Sequence, residues 1–546
     1  MNEKLTAEQV LLLENLMYIT NQSPLVGITD TQSVTIEDWI NEIDISQLSD
    51  GTEYGSYTTG NDWKNIIAAV RNDPTLMSME IVGTHIDNDI QKGGGGGVSA
   101  VFKNPDTGEA VVAFRGTASD EWKDDFVGGG PTGTSDKVST QQQKNALDWY
   151  QSLDKSDFSS ITVTGHSKGG NKAKYITIMD DSVDRCISFD GQGFSDEFVN
   201  EYQDEIARNQ GKITNHNVDY DYVNILLNDI GEKKYYKGYD IGEGGFLENH
   251  CPNTYFQFDE NGVFSITESE QGREMQELDQ FLNSYLRSIP PEKRADTLAF
   301  IGEIAEMGLG GDFNTNELFQ LFFDVNNIDN AAYLIAYFIE YEQKYPEFAE
   351  SINAIMSQFG LEKPLEIVKL VEDIMNSPVF DYLFDGVNFL ADHLPNFIIE
   401  MIQKLAQKYG ISLTEEQIRD LFSVLSGINY YMDEISVEKN GADKTVVSVN
   451  SGSGYSKFKV RTEALYTYKE NMNIYGQNLR NISEEISGIN HNLQSMKSYI
   501  LVKRNLGILE RRLGSLSEKC RRMSNIVGEI AVCYNETEKR ITDHAK

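Results

Sequence analysis

ITVTGHSKGGNKAKYITIM, Ile161 to Met179, runs from a β-branched stretch through Gly165-His166-Ser167-Lys168-Gly169 into a stretch of helical character. A G-x-S-x-G run between a strand and a helix predicts a nucleophile elbow, with Ser167 on a tight, strained turn and its hydroxyl exposed at the helix N-terminus. Gly165 and Gly169 are then mechanical requirements, because side chains there would collide across the turn. Five residues of this pattern are short enough to arise by accident; the strand before and the helix after make the reading specific. The same geometry assigns the backbone N–H of Lys168, the residue after the nucleophile, as one oxyanion donor.

Outward from this stretch, Met1 to about Gly262 alternates helical segments with short β-branched runs, as an α/β domain does. VSAVF (Val98 to Phe102) and EAVVAF (Glu109 to Phe114) read as a hairpin, and RCISF (Arg185 to Phe189) as a buried strand. All four Trp lie in the first 150 residues, so the chemistry is expected N-terminally. GGGGG (Gly93 to Gly97) lacks the Lys-Ser/Thr of a phosphate loop and leads into a strand, which argues against a nucleotide site. FVGGGPTGTSDKV (Phe126 to Val138) has the composition of a mobile flap.

AVVAFRGTASDEWKDDF (Ala110 to Phe126) resembles the F-R-G-[ST] strand end of class 3 lipases, and GHSKGG differs from their usual GHSLGG only at Lys168. ISFDGQGFSDEF (Ile187 to Phe198) resembles a D-G-x-G-F-S run in a bacterial branch of these α/β-hydrolases. The likeness covers roughly Leu5 to Phe258 and implies an α/β-hydrolase acting on acyl esters, with no cofactor and no metal. It further implies Thr117 as the second oxyanion donor and a bracing role for Arg115. The order Ser, acid, His leaves His216, His250, His393, His491 and His544 as candidate bases. His216 leaves little room for an intervening acid, and the last three sit in helical segments. His250, in the loop GGFLENHCPNTYFQF, is the expected base. Asp219, Asp221 and Asp229 are the candidate acids; Asp221-Tyr222-Val223 resembles the D-x-V segment that carries the family's acid, which selects Asp221.

The chain has 546 residues, too many for one ordinary core. Lys and Arg number 47 against 85 Asp and Glu, a net charge of -38, so a nucleic-acid partner is not expected. No membrane span is legible, and the N-terminus lacks the basic n-region of a secretory signal. Cys186, Cys251, Cys520 and Cys533 are too scattered for a disulfide framework or a C-x-x-C metal site. Cys520 and Cys533, on one predicted helix, stand roughly 20 Å apart along its axis and cannot pair within it.

Four segments are expected: an α/β-hydrolase over 1–262, a helical region over 263–437, a polar linker over 438–454 and a helical hairpin over 455–546. In the last, apolar residues recur at steps of three and four from Leu465 through Tyr475, Leu479, Ile482 and Ile486 to Ile500, and again from Leu506 to Ile541. The two helices are expected to join near Lys503 to Asn505. This segment carries about +6 and the rest -44, and its apolar shoulders exceed what two helices can cover. It resembles the LXG and W-x-G hairpin modules of type VII secretion substrates, without a W-x-G turn. The order, enzyme first, resembles staphylococcal type VII lipase effectors. That likeness implies a secreted lipase or phospholipase A, small helical secretion partners bound at 455–546, a lipid substrate, and an immunity protein to neutralise a toxin of this kind. Cytoplasmic location, general carboxylesterase or thioesterase action, and an inactive adaptor are the alternatives.

Overall fold

The computed structural model describes residues 4–29, 35–54, 58–87, 97–116, 139–242, 245–258 and 264–289, much of 293–428, and scattered positions between 469 and 524. The chain divides into two compact units, Met1–Ser451 and Gly452–Lys546.

The first unit is built on an eight-stranded sheet of order β1-β2-β3-β4-β5-β6-β7-β10, whose central strands are buried on both faces, as parallel strands covered by helices are, while the outer ones are partly exposed. Here β1 is Glu80–Asp87, β2 Gly97–Lys103, β3 Glu109–Phe114, β4 Ser160–His166, β5 Arg185–Phe189, β6 Ile213–Val218, β7 Glu232–Tyr236 and β10 Glu268–Ser269. Two short strands, β8 (Gln257–Phe258) and β9 (Phe264–Ser265), pair separately. β1 and β2 and then β2 and β3 run antiparallel, β3 to β7 are parallel, and β10 returns antiparallel to β7. The expected hairpin of β2 and β3 is present, with Ser99 opposite Phe114. Because β3 to β7 are parallel, the residues that follow Phe114, His166, Phe189 and Val218 emerge at one edge, where α/β sheets place their sites.

Each face carries its own core. One packs α1 (Ala7–Leu16), Trp39, Trp63 and Ile66 against Phe102, Val111 and Phe189. The other packs Tyr150 of α4 (Gln141–Ser152) and Ile176 of α5 (Lys168–Met179) against Val112, Val163 and Cys186; α2 (Ile36–Asn41) and α3 (Gly60–Arg71) complete the first layer. α1 is started by a capping box in which Thr6 and Gln9 satisfy each other's backbone N–H.

The middle region adds a third apolar cluster, in which α6 (Arg273–Ser288), α7 (Ile328–Lys344), α8 (Pro346–Gln358), α9 (Glu362–Met375) and α10 (Asn396–Lys408) converge. Ile225 and Phe246 of the α/β region belong to that cluster. Asn283 of α6 donates to Ile225 O at 2.8 Å and accepts from Leu227 N at 2.6 Å. The helices are thus a layer joined to the sheet domain through the loop after β6. α/β-hydrolase architecture followed by helices is what the sequence predicts.

In the second unit the described residues are helical, and Ser524 Oγ donates to Lys469 O at 3.0 Å, bringing two distant segments side by side. Tyr475 and Ile482, two predicted seam positions, are exposed, as is Ile474. The expected bend near Lys503 to Asn505 lies outside the described residues. No helix among the described residues is long and apolar enough to cross a membrane.

Candidate active site

β4 ends at His166 and α5 begins at Lys168, leaving Ser167 alone to turn the chain, which it does at φ 58° and ψ -124°. A non-glycine residue in this region is strained, and such strain persists where the surroundings over-determine it. A Cβ on Gly165 would lie 2.2 Å from Gly169 C, and one on Gly169 would lie 1.8 Å from Phe114 O. A side chain at either position would therefore collide across the elbow. Ser167 N donates to Phe189 O at 2.9 Å, fixing the turn to the end of β5.

The structure brings Ser167, His250 and Asp221 together. His250 Nε2 lies 2.8 Å from Ser167 Oγ, and His250 Nδ1 lies 2.5 Å from Asp221 Oδ2. All three side chains are buried. His250 ends a short 3-10 turn, Phe246–His250, entered through Gly245 at φ 101°. Asp221 sits in the turn after β6, where its Oδ1 accepts from Val223 N at 2.9 Å and Asn224 N at 2.7 Å. Those two donors leave Oδ2 to face His250. The Tyr222 ring lies 5.5 Å from the His250 ring, and its hydroxyl donates to Leu247 O at 3.2 Å.

The other candidate acids are occupied. Asp219 accepts from Gly238 N at 2.9 Å and Ser269 Oγ at 2.7 Å, tying β6 to β7 and β10. Asp229 pairs with the fully buried Lys174 at 2.6 Å. His216 bonds Tyr236 through Nδ1 at 2.8 Å and stacks on its ring, and burial pushes it down to about 4. It is a core histidine.

Lys168 opens α5, so its N–H belongs to the first turn, which has no carbonyl of its own helix to bond. Gly116 packs close to the nucleophile: a Cβ there would lie 3.0 Å from Ser167 Cβ. Thr117 and Phe126 to Val138, the stretch with the composition of a flap, lie outside the described residues. Among the described residues no cluster of His, Cys, Asp and Glu has the form of a metal site.

Sequence reasoning missed the back of the elbow. Tyr18 Oη accepts from Gly116 N at 3.1 Å and is hydrogen-bonded to His166 Nδ1, 2.7 Å away. Glu14 of α1 accepts from His166 N at 3.2 Å, while its Oε2 has no hydrogen-bond partner among the described residues. Burial first, opposed by the His166 N–H and by Arg115, pushes Glu14 up to about 8. His166 is held well below its ordinary value by burial and by His250. The available signal was the polar pair Glu14-Asn15 inside the apolar run LLLENLM.

Residues 78–301 match the model of the Mbeg1-like family, a lipase-like family, over less than half of the chain. No curated protein matches. Among solved structures, the Lip2 lipase from Yarrowia lipolytica is similar at 11% identity over 49% of this chain and 84% of its own, with a TM-score of 0.26. The sheet order, the elbow and the family match make this part of the chain a lipase-like α/β-hydrolase.

Proposed function

We propose that the chain is a serine lipase of phospholipase A type, cleaving acyl esters of phospholipids through an acyl-Ser167 intermediate. The observation that carries this is the continuous chain Ser167 Oγ, His250, Asp221, at 2.8 and 2.5 Å. His250 Nε2 takes the Ser167 proton as the hydroxyl attacks the ester carbonyl, and returns it to the departing alcohol. Asp221 fixes the His250 tautomer and favours its charged form. Lys168 N–H, with Thr117 as its partner by resemblance, receives the developing oxyanion. Water then attacks the acyl-enzyme along the same proton route.

Fluorophosphonate labelling, lost in Ser167→Ala, together with fatty-acid release from phosphatidylglycerol and phosphatidylcholine vesicles by mass spectrometry, tests the reading. Labelling that survives Ser167→Ala overturns the nucleophile. Cleavage of short esters without release from vesicles replaces the lipase by an esterase or thioesterase. No reaction at all leaves an adaptor.

For the second unit we propose binding of small helical secretion partners and export of the lipase with them. Exposed Ile474, Tyr475 and Ile482 support this, since apolar side chains at such spacing on one helix are covered by partner helices in bundles. Deleting 455–546 should then abolish release of the enzyme from the producing cell and leave its vesicle activity in place.

A further inference from the structure

Directly after β5, Asp190 takes φ 45° and is fully buried between the segments that carry Asp221 and His250. Its Oδ1 accepts from Val218 N at 2.8 Å and Asn224 Nδ2 at 2.9 Å, holding both ends of the turn centred on Asp221. Asn224 also donates to Val218 O at 3.1 Å, and Asp190 N donates to His216 O at 2.9 Å. From the other side Tyr255, five positions after His250, sets its hydroxyl 2.5 Å from Asp190 Oδ2 and 2.7 Å from His216 O.

A tyrosine hydroxyl has one hydrogen. If Asp190 were ionised, two acceptors would compete for it. A proton on Oδ2 resolves the count: Asp190 donates to Tyr255 Oη, and Tyr255 donates to His216 O. Burial and then the Asp221 carboxylate push Asp190 well above the ordinary carboxyl range, against the bonds from Tyr255, Asn224 and Val218. Two adjacent buried carboxylates cannot both ionise cheaply. The titratable groups facing Asp190 are Asp221 from the acid turn and Tyr255 from the segment after His250, with the Tyr236 ring of β7 5.9 Å behind Tyr255.

We propose that Asp190 is a positioning residue for the Asp221–His250 pair and acts as a neutral carboxyl, joining the acid turn to the base segment while leaving the negative charge on Asp221. Within the proposed lipase reaction it touches neither substrate nor nucleophile. Its shape and neutrality can be reproduced by an amide, whose oxygen would accept from Val218 and Asn224 and whose nitrogen would donate to Tyr255.

The test uses the full chain, a soluble p-nitrophenyl ester, and infrared difference spectra of wild type against Asp190→Asn at neutral pH. A carboxylic-acid C=O band present in wild type and absent from the variant is expected; its absence overturns the neutral carboxyl. Asp190→Ala should lower kcat about 100-fold with KM nearly unchanged, and Asp190→Asn should restore most of that loss. Wild-type kcat in Asp190→Ala, or an Asn variant as poor as Ala, overturns the positioning role. Tyr255→Phe keeps the volume and serves as the probe where Asp190→Ala does not fold: it should lower kcat roughly 10-fold, and an unchanged kcat in it overturns the bridge. The infrared arm reads out without turnover, so an inactive wild type would refute the lipase reading and leave this one standing or falling on its own band.

Discussion

Two carboxyls flank the Ser167 turn and engage histidine in different ways, Asp221 through the His250 ring and Glu14 through the His166 backbone. In front, His250 meets Asp221, whose second oxygen is fixed by two backbone N–H groups. Behind, Glu14 accepts from the backbone N–H of His166, whose ring bonds Tyr18 instead, and its other oxygen has no hydrogen-bond partner among the described residues. The two histidine rings stand 4.9 Å apart, centroid to centroid, yet His250 Nε2 lies 2.8 Å from Ser167 Oγ while His166 Nε2 has no hydrogen-bond partner among the described residues. What differs is the group each carboxyl meets: Asp221 faces the His250 ring with one oxygen while two backbone N–H groups hold the other, whereas Glu14 holds the His166 backbone and so braces the turn.

The largest test of that contrast is Asp221→Asn, expected to lower kcat about 10⁴-fold, as loss of the orienting acid does in triads, while Ser167 still labels slowly. Steady-state kinetics on a soluble ester would measure it, and a drop under tenfold would place the acid elsewhere. Asp229→Asn should leave kcat intact but cost roughly 3–5 kcal/mol of stability by stranding the buried Lys174, read as a lowered denaturant midpoint. Tyr18→Phe, on the rear side, should cost about 1–3 kcal/mol because Gly116 N and His166 Nδ1 lose a shared partner. The last case, Glu14→Gln, is read by its pH dependence. Glu14, raised from 4.5 to about 8, holds a proton in the folded chain that the unfolded chain has released between those values. Its contribution to stability is therefore full below about pH 4 and declines as pH rises through about 8. Melting temperatures from pH 6 to 9 should fall in wild type and flatten in the variant; parallel curves would show that Glu14 does not titrate there.

The front pair could be read from the sequence because its residues lie on one motif and on short loops after strands. Order along the chain selected His250, and the D-x-V pattern selected Asp221. The rear pair could not, since Glu14 and His166 meet across 152 positions with no spacing rule to announce it. Asp190 was visible inside D-G-x-G-F-S without a role, because its role consists of contacts to Val218, Asn224 and Tyr255 that only the folded sheet brings together. The helical region was legible as helices from its apolar period. Its bond to the loop after β6 was not, because Asn283 is an isolated polar residue on an amphipathic helix.

That Asn283 contact has a consequence for synthesis. Its amide holds Ile225 O and Leu227 N, a few residues beyond Asp221, while the rear brace comes from Glu14 and Tyr18 near the other end of the same unit. A nascent chain emerges N-terminal end first, and contacts of such sequence separation cannot close until both partners have left the ribosome. Ser167 is thus translated long before the groups that would make it reactive are in place. A ribosome-bound fragment ending before α6 carries Ser167 without the full support of its partners, so the Ser167, His250 and Asp221 arrangement would be braced only after most of the first unit has been made.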